Sequence, residues 1–227
     1  MPAYLATPHS AGSVPGVVVI HDAGGMTQDH RNQADWLADA GFLAVALNLY
    51  HRGGVSFCIR TIVHDLLARS GPTFTDIASA DIESARVWLS LQPGCNGRAG
   101  IIGFCMGGAF ALLLASGRGF SASSVNYGGK LPADIDSFLA AACPIVASYG
   151  AKDPWNKGVA DQLEHALERA LVVHDVKEYP DAGHSFMNNH QSIFFKVLRF
   201  VAIAYNEPAT LDARRRIAAF FHTHLQP

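Results

Sequence analysis

The stretch Gly100-Ile101-Ile102-Gly103-Phe104-Cys105-Met106-Gly107-Gly108-Ala109-Phe110 decides how the rest of the chain is read. Gly100 to Gly103 has the composition of a short buried strand, and the apolar run Ala109 to Ser116 reads as a helix. Between them stands Gly-x-Cys-x-Gly. Small glycines on either side permit a tight, strained turn that lifts the Cys105 sulfur above a sheet edge. The helix N-terminus beneath supplies exposed N–H groups and a positive partial charge favouring thiolate. Such a strand–turn–helix presents a nucleophile. The same residues also suit a buried cysteine beside a helix-packing glycine pair, so the hexapeptide needs support from elsewhere in the chain.

Working outward, Val17 to Ile20 is a β-branched run entering the loop His21-Asp22-Ala23-Gly24-Gly25, as a fully buried strand does. A helix is predicted from about Asp29 to Ala40, ended by Gly41, with a second buried strand over Phe42–Leu47. Periodicity is weak from Asn48 to Pro72, which reads as loop with one short helix near Ile62 to Ala68. Thr73 and Asp76 have capping-box spacing ahead of apolar positions 78, 82, 85 and 89, one face of a helix ending near Leu91. Beyond the central turn, strands are expected over Ser123–Tyr127, Pro144–Tyr149 and Val172–Tyr179, with a helix carrying Val159, Leu163, Ala166, Leu167 and Ala170. An apolar segment, Ile193 to Ala204, precedes the break Asn206-Glu207-Pro208 and a last helix from about Thr210 to Leu225. This alternation predicts a single α/β domain over residues 1–227: a mostly parallel twisted sheet with helices on both faces and functional groups at the carboxyl ends of strands.

Composition limits the function classes. Of 227 residues, 49% are hydrophobic and 16% charged, enough for a large core and too little charge for disorder. Seventeen Lys plus Arg against nineteen Asp plus Glu leave a net charge of -2, so no basic field draws a nucleic acid. Residues Met1 to Ser13 lack a basic segment followed by an apolar stretch, and no apolar run is long enough for a bilayer, so neither export nor a membrane anchor is expected. The four cysteines, Cys58, Cys95, Cys105 and Cys143, show no C-x-x-C pairing; this fits a reducing cytoplasm better than a zinc site or a disulfide framework.

Two further segments fall after predicted strands. Ser148-Tyr149-Gly150-Ala151-Lys152-Asp153-Pro154 places a carboxylate where it can orient an imidazole, and Tyr179-Pro180-Asp181-Ala182-Gly183-His184-Ser185-Phe186 places a histidine in the next loop. Nucleophile, acid, histidine is the chain order of an α/β-hydrolase, and the three together are far more specific than any one. Asp181, three residues before His184, reads as a turn residue, which leaves Asp153 as the acid. Gly128-Gly129-Lys130 lacks the following Ser or Thr of a phosphate loop. Arg214, Arg215 and Arg216 read as a solvated helix face, while His222 and His224 do not share a helix face as metal ligands would.

On these residues the chain resembles the dienelactone hydrolase family, an α/β-hydrolase branch with cysteine as nucleophile. The likeness runs from Val17-Val18-Val19-Ile20-His21-Asp22 through Gly103–Gly108 and Gly150-Ala151-Lys152-Asp153 to Gly183-His184-Ser185-Phe186. It implies Cys105, Asp153 and His184 as a triad, the backbone N–H groups of Ala23 and Met106 as oxyanion donors, and a cytosolic monomer with no metal or organic cofactor. Two positions depart from the family. Its glutamate after the first-strand histidine is here Asp22, one methylene shorter, which reads either as the thiol-contacting acid or as a loop anchor or helix cap. Its carboxylate-binding arginine, four residues after the histidine, is here Asn188, and a neutral amide does not replace a guanidinium fork. Arg52, Arg60 and Arg69 in the long loop are the other candidates for that charge.

The expected reaction is hydrolysis of a small ester or lactone through a Cys105 thioester, with Phe104, Trp155, Phe186 and Asn188 as pocket candidates. Two alternatives use the same residues: a non-catalytic small-ligand binder, and an acyl transferase or thioesterase.

Overall fold

The computed structural model describes residues 1–9, 12–53, 74–189 and 204–226. Its strands are β1 (Ala3–Ala6), β2 (Val14–Ile20), β3 (Leu43–Leu47), β4 (Cys95–Phe104), β5 (Ala122–Asn126), β6 (Ile145–Gly150) and β7 (His174–Tyr179). Its helices are α1 (Gln28–Asp39), α2 (Phe74–Ser90), α3 (Met106–Leu113), α4 (Ile135–Leu139), α5 (Val159–Arg169) and α6 (Glu207–His224). They form one sheet in the order β1-β3-β2-β4-β5-β6-β7, parallel except for β1, which runs antiparallel to β3. This is the α/β-hydrolase architecture. The short helix expected near Ile62, the cap at Thr73 and the apolar segment from Ile193 to residue 203 lie outside the described residues.

The sheet's interior strands are buried on both faces, so they read as continuous apolar runs: Val17, Val18, Val19 and Ile20 are all fully buried, as are Ile101 and Ile102. Two glycines show which helix covers which face. Gly16 and Gly100 sit on neighbouring strands, and Gly100 pairs with Val17, so their missing side chains point to opposite faces. A Cβ on Gly16 would meet Leu89 of α2, whereas one on Gly100 would meet Leu225 and Phe221, at and within the C-terminal end of α6. The α1 helix shares the α6 face, because His222 bonds the carbonyl of Ala40 and Phe221 packs on Phe42. The α3 helix shares the α2 face, where Phe74 and Phe110 meet edge to face.

The apolar positions expected on the α2 helix, Ala78, Ile82, Ala85 and Leu89, are its buried face. The arginine triplet requires a correction. Only Arg215 is an exposed surface residue. Arg214 lays its guanidinium over Trp36, 5.0 Å from the ring centre, and donates to Gln33 at 2.9 Å. Arg216 clasps Asp175 at 2.7 and 3.0 Å and donates to the Tyr179 hydroxyl at 3.0 Å, fastening α6 to β7. Successive residues on a helix point about 100° apart, so a run of like charges need not share one environment.

Replacing Arg216 leaves the aspartate and tyrosine without their charged donor. Arg216→Ala is expected to lose about 2 kcal/mol of stability, against less than about 0.5 kcal/mol for Arg215→Ala. Urea unfolding of the two variants checks the difference.

Candidate active site

At the carboxyl end of β4 the chain reverses into α3 through Cys105, whose backbone lies at φ 54° and ψ -113°. Positive φ is strained for a residue with a side chain and persists only where the surroundings enforce it. The enforcement is close backbone packing. A Cβ on Gly103 would sit 1.8 Å from the Gly107 carbonyl oxygen, and one on Gly107 would sit 2.4 Å from the Ile20 carbonyl oxygen. The turn is further tied by the Cys105 N–H donating to the Asn126 carbonyl at 3.0 Å, and by the Asn126 amide donating back to the Gly103 carbonyl at 3.1 Å. The α3 helix starts at Met106, three residues earlier than the sequence suggests, because tertiary contacts outweigh the low helix propensity of Gly107 and Gly108.

The loops after β6 and β7 bring Asp153 and His184 together. His184 Nδ1 lies 2.6 Å from Asp153 Oδ2, both side chains being buried. His184 and Cys105 both line one cavity, and Cys105 is one of the groups that favour the charged imidazole. Burial opposes the imidazole's charge, but Asp153 and Cys105 together outweigh it, and its pKa is raised to about 9. Burial likewise opposes the Asp153 charge, yet His184, the Trp155 N–H and Asn156 hold its carboxyl below the ordinary value. Asp181 is instead an exposed partner of Lys152 at 2.9 Å.

Asn156 is a member of this cluster that sequence reading missed. Its amide donates to Asp153 Oδ2 at 2.6 Å and to the Tyr127 carbonyl at 3.3 Å. The only signal was an amide three residues past the acid, which acquires meaning once the loop conformation is known. Tyr127 was also missed as a site residue. Its ring meets the His184 imidazole edge to face at 5.3 Å, while Trp155 contacts the imidazole at 4.9 Å, so the imidazole packs against two aromatic rings.

A cavity of about 450 Å³ opens above these groups, lined by Asp22, Ala23, Cys105, Met106, Trp155 and His184, with Tyr127, Asn156, Ser185 and three glycines completing the wall. Its size suits a small organic ligand. Trp155, half exposed at its rim, stands where a pocket residue was expected. Phe104, Phe186 and Asn188 do not line it, which corrects those three pocket expectations. Both phenylalanines are fully buried in the core. Asn188 is buried in a structural chain, accepting from the Tyr127 hydroxyl, donating to Asp29 Oδ2 at 2.6 Å, and so locking the histidine loop to α1. Burial chiefly, with Asp29, Asp22 and Cys105 nearby, keeps the Tyr127 phenol protonated and able to donate. The arginine candidates do not meet the cavity where they are described: Arg52 forms an exposed pair with Asp81 at 2.8 Å, and Arg60 and Arg69 lie outside the described residues.

Asp22 faces the cavity with Cys105 and also anchors its loop. One carboxylate oxygen accepts the Gly24 N–H at 2.8 Å, and the Asp22 N–H donates to His30 Nε2 at 3.2 Å. The N–H groups of Ala23 and Met106 belong to residues on this wall, and the first N–H of a helix has no partner within it. Among the described residues, no cluster of three or more His, Cys, Asp or Glu side chains could hold a metal ion, and no helix is long and apolar enough to cross a membrane.

Comparison with known proteins places this geometry in a family. The sequence profile of the dienelactone hydrolase family matches residues 1–225. A carboxymethylenebutenolidase of Rhodococcus opacus is 28% identical over 193 residues, covering 81% of this chain and 75% of the relative. An Escherichia coli protein provisionally given the same name is 33% identical over 202 residues, covering 82% of this chain and 73% of the relative. A crystal structure from Klebsiella pneumoniae, provisionally named a dienelactone hydrolase, matches with a TM-score of 0.76 at 25% identity, covering 98% of this chain and 92% of that one. The chain belongs to the dienelactone hydrolase family and is a hydrolase of the ester and lactone class.

Proposed function

We propose that the chain hydrolyses small, uncharged carboxylic esters or lactones through a thioester on Cys105, with His184 as the proton carrier and Asp153 as its orienting acid. The observation that carries this reading is the Asp153–His184 hydrogen bond at 2.6 Å, with His184 and Cys105 lining one cavity. With Nδ1 committed to Asp153, the opposite ring nitrogen serves the thiol.

The sulfur attacks the substrate carbonyl carbon while its proton resides on His184, and the carbonyl electrons move onto oxygen, where the N–H groups of Ala23 and Met106 receive them. The C–O bond to the leaving group breaks, and the leaving oxygen takes the proton from His184. Water then attacks the thioester and gives a proton to His184; the C–S bond breaks and Cys105 is regenerated as the carboxylic acid departs. Asp153 holds the ring in place and stabilises the imidazolium without taking the proton itself.

Two observations support an uncharged acyl group. Among the described residues lining the cavity, Asp22 is the only carboxylate, and it repels a substrate carboxylate. Asn188, at the position of the family's arginine, is occupied by Tyr127 and Asp29.

Cys105→Ala is expected to lower p-nitrophenyl acetate hydrolysis by about 10³-fold or more, and iodoacetamide should inactivate the parent protein in step with alkylation of Cys105. Undiminished turnover in the variant would overturn the nucleophile assignment. A p-nitrophenyl ester of a monocarboxylic acid should be hydrolysed with a higher kcat/KM than its counterpart bearing a free carboxylate, and the reverse order would remove the argument from Asp22.

Proton binding gives a separate check. Because the folded imidazole's pKa is raised from 6.5 to about 9, its stabilising contribution is present in full below about 6.5 and lost as pH rises through about 9. Asp153, held below its ordinary 3.8, contributes above that value and loses its contribution on acidification. In Asp153→Asn the His184 pKa should fall from about 9, read by the pH dependence of its ring resonances in NMR. The decline of stability between pH 6.5 and 9 should flatten in the same variant.

A further inference from the structure

The loop after β2 shows a pattern that the triad does not explain. Its successive peptide groups are secured one by one. The Asp22 N–H donates to His30 Nε2 at 3.2 Å. The Asp22 carbonyl accepts from His21 Nδ1 at 2.7 Å and from the Gly25 N–H at 3.1 Å. The Ala23 carbonyl accepts from the Tyr50 hydroxyl at 3.2 Å, and the Gly24 N–H donates to Asp22 Oδ1 at 2.8 Å. From Asp22 to Gly25, the Ala23 N–H is the backbone donor left without a protein acceptor, and it belongs to a residue on the cavity wall.

That N–H shares its peptide plane with the Asp22 carbonyl. In a trans peptide the two point in opposite directions, so fixing one aims the other. His21 is well suited to fix it. The ring is fully buried, its Nε2 accepts the Leu49 N–H at 3.2 Å, and therefore its proton sits on Nδ1, facing the Asp22 carbonyl. Tyr50 packs edge to face on the same ring at 4.7 Å, so the ring has little freedom to turn. A hydrogen bond received by a peptide carbonyl also makes the N–H of that peptide a stronger donor.

We propose that His21 is a positioning residue of the oxyanion hole: through the Asp22 carbonyl its Nδ1–H aims and polarises the Ala23 N–H toward the oxygen that gains charge during acyl transfer. This rests on the reading of Cys105 as nucleophile and extends it to a residue that touches no substrate. Burial, its chief cause, pushes the His21 pKa down to about 4, so the neutral tautomer holds throughout the neutral range. His30 performs the matching task on the preceding peptide, its Nδ1 bonded to the Thr27 hydroxyl at 3.0 Å.

The test compares His21→Leu, which removes the donor, with His21→Asn, whose amide nitrogen stands near the place of Nδ1. With p-nitrophenyl esters, His21→Leu is expected to lower kcat about tenfold to a hundredfold at nearly constant KM, below the 10²–10³ lost with an entire oxyanion donor. His21→Asn should recover kcat to within a few-fold. Difference infrared spectra of the thioester formed from carbonyl-¹³C p-nitrophenyl pivalate should show the acyl C=O stretch at higher frequency in His21→Leu, because its hydrogen bond is weaker, and near the parent value in His21→Asn. A purely structural histidine would move the melting temperature and leave this frequency alone.

Parent kcat and parent C=O frequency in His21→Leu would overturn the inference while leaving the Cys105 reading intact. If His21→Leu does not fold, a folded His21→Asn with the rate and frequency of the parent supports the inference, and one that has lost both overturns it. Full turnover in Cys105→Ala, by contrast, would end the nucleophile reading and this inference with it.

Discussion

The structure depends on backbone approaching backbone where β4 turns into α3. There the first turn of α3 lies against the carbonyls that end β2 and β5, with no room for a Cβ on Gly103, Gly107 or Gly108. This contact holds Cys105 at positive φ on the cavity wall. It also brings the start of α3 beside the carbonyls that end β2, so the proposed nucleophile and the proposed oxyanion donors share one packing event. A larger residue at any of the three glycines would separate strands and helix before it altered any chemical group, and the site is therefore no more adjustable than the core beneath it.

The other half of the site is built from loops, and loops need anchors. Asp153 is held by the Trp155 N–H and the Asn156 amide, so its remaining capacity is directed at His184. The histidine loop is fixed from below by Asn188, itself between Tyr127 and Asp29, and by Gln33 donating to the Met187 carbonyl at 2.8 Å. The anchors come from the loop after β6, from Tyr127 just past β5, and from α1. The imidazole's position consequently reports the packing of α1, β5 and the loop after β6 together.

The strands, and the placing of Cys105, Asp153 and His184 just past three of them, were legible in the sequence because interior parallel strands must be continuously apolar. What escaped was whatever lacks such a pattern. The β1 strand, Ala3–Ala6, buries only Ala6 as an antiparallel edge, and α4 has five residues, too few to show a period. Phe104 and Phe186 adjoin the site residues in sequence yet point into the core, since adjacent residues at a turn face different ways. Asn188 was read by its place relative to the histidine, and that place shows spacing but not burial. The arginine triplet failed similarly: charge is visible in a sequence, whereas the Asp175, Tyr179 and Gln33 that receive it are brought there by β7 and α1.

Three buried histidines, His21, His30 and His184, show how partner chemistry decides the use of one side chain. Each is withdrawn from water, which alone disfavours charge. His21 has a carbonyl on one nitrogen and a backbone N–H on the other, partners that suit a neutral ring and specify its tautomer. His30 accepts a backbone N–H and has a hydroxyl at its second nitrogen; the nearby Asp22 carboxylate oxygen stands 3.9 Å away rather than in hydrogen-bond contact. His184 alone has a carboxylate at 2.6 Å, and that carboxylate together with Cys105 favours the protonated ring strongly enough to reverse the effect of burial. His21 is therefore a fixed connector, and His184 is the ring that the proposed reaction uses to carry a proton. Fixed connectors matter to a mobile proton, because a donor aimed beforehand need not reorganise when the charge appears.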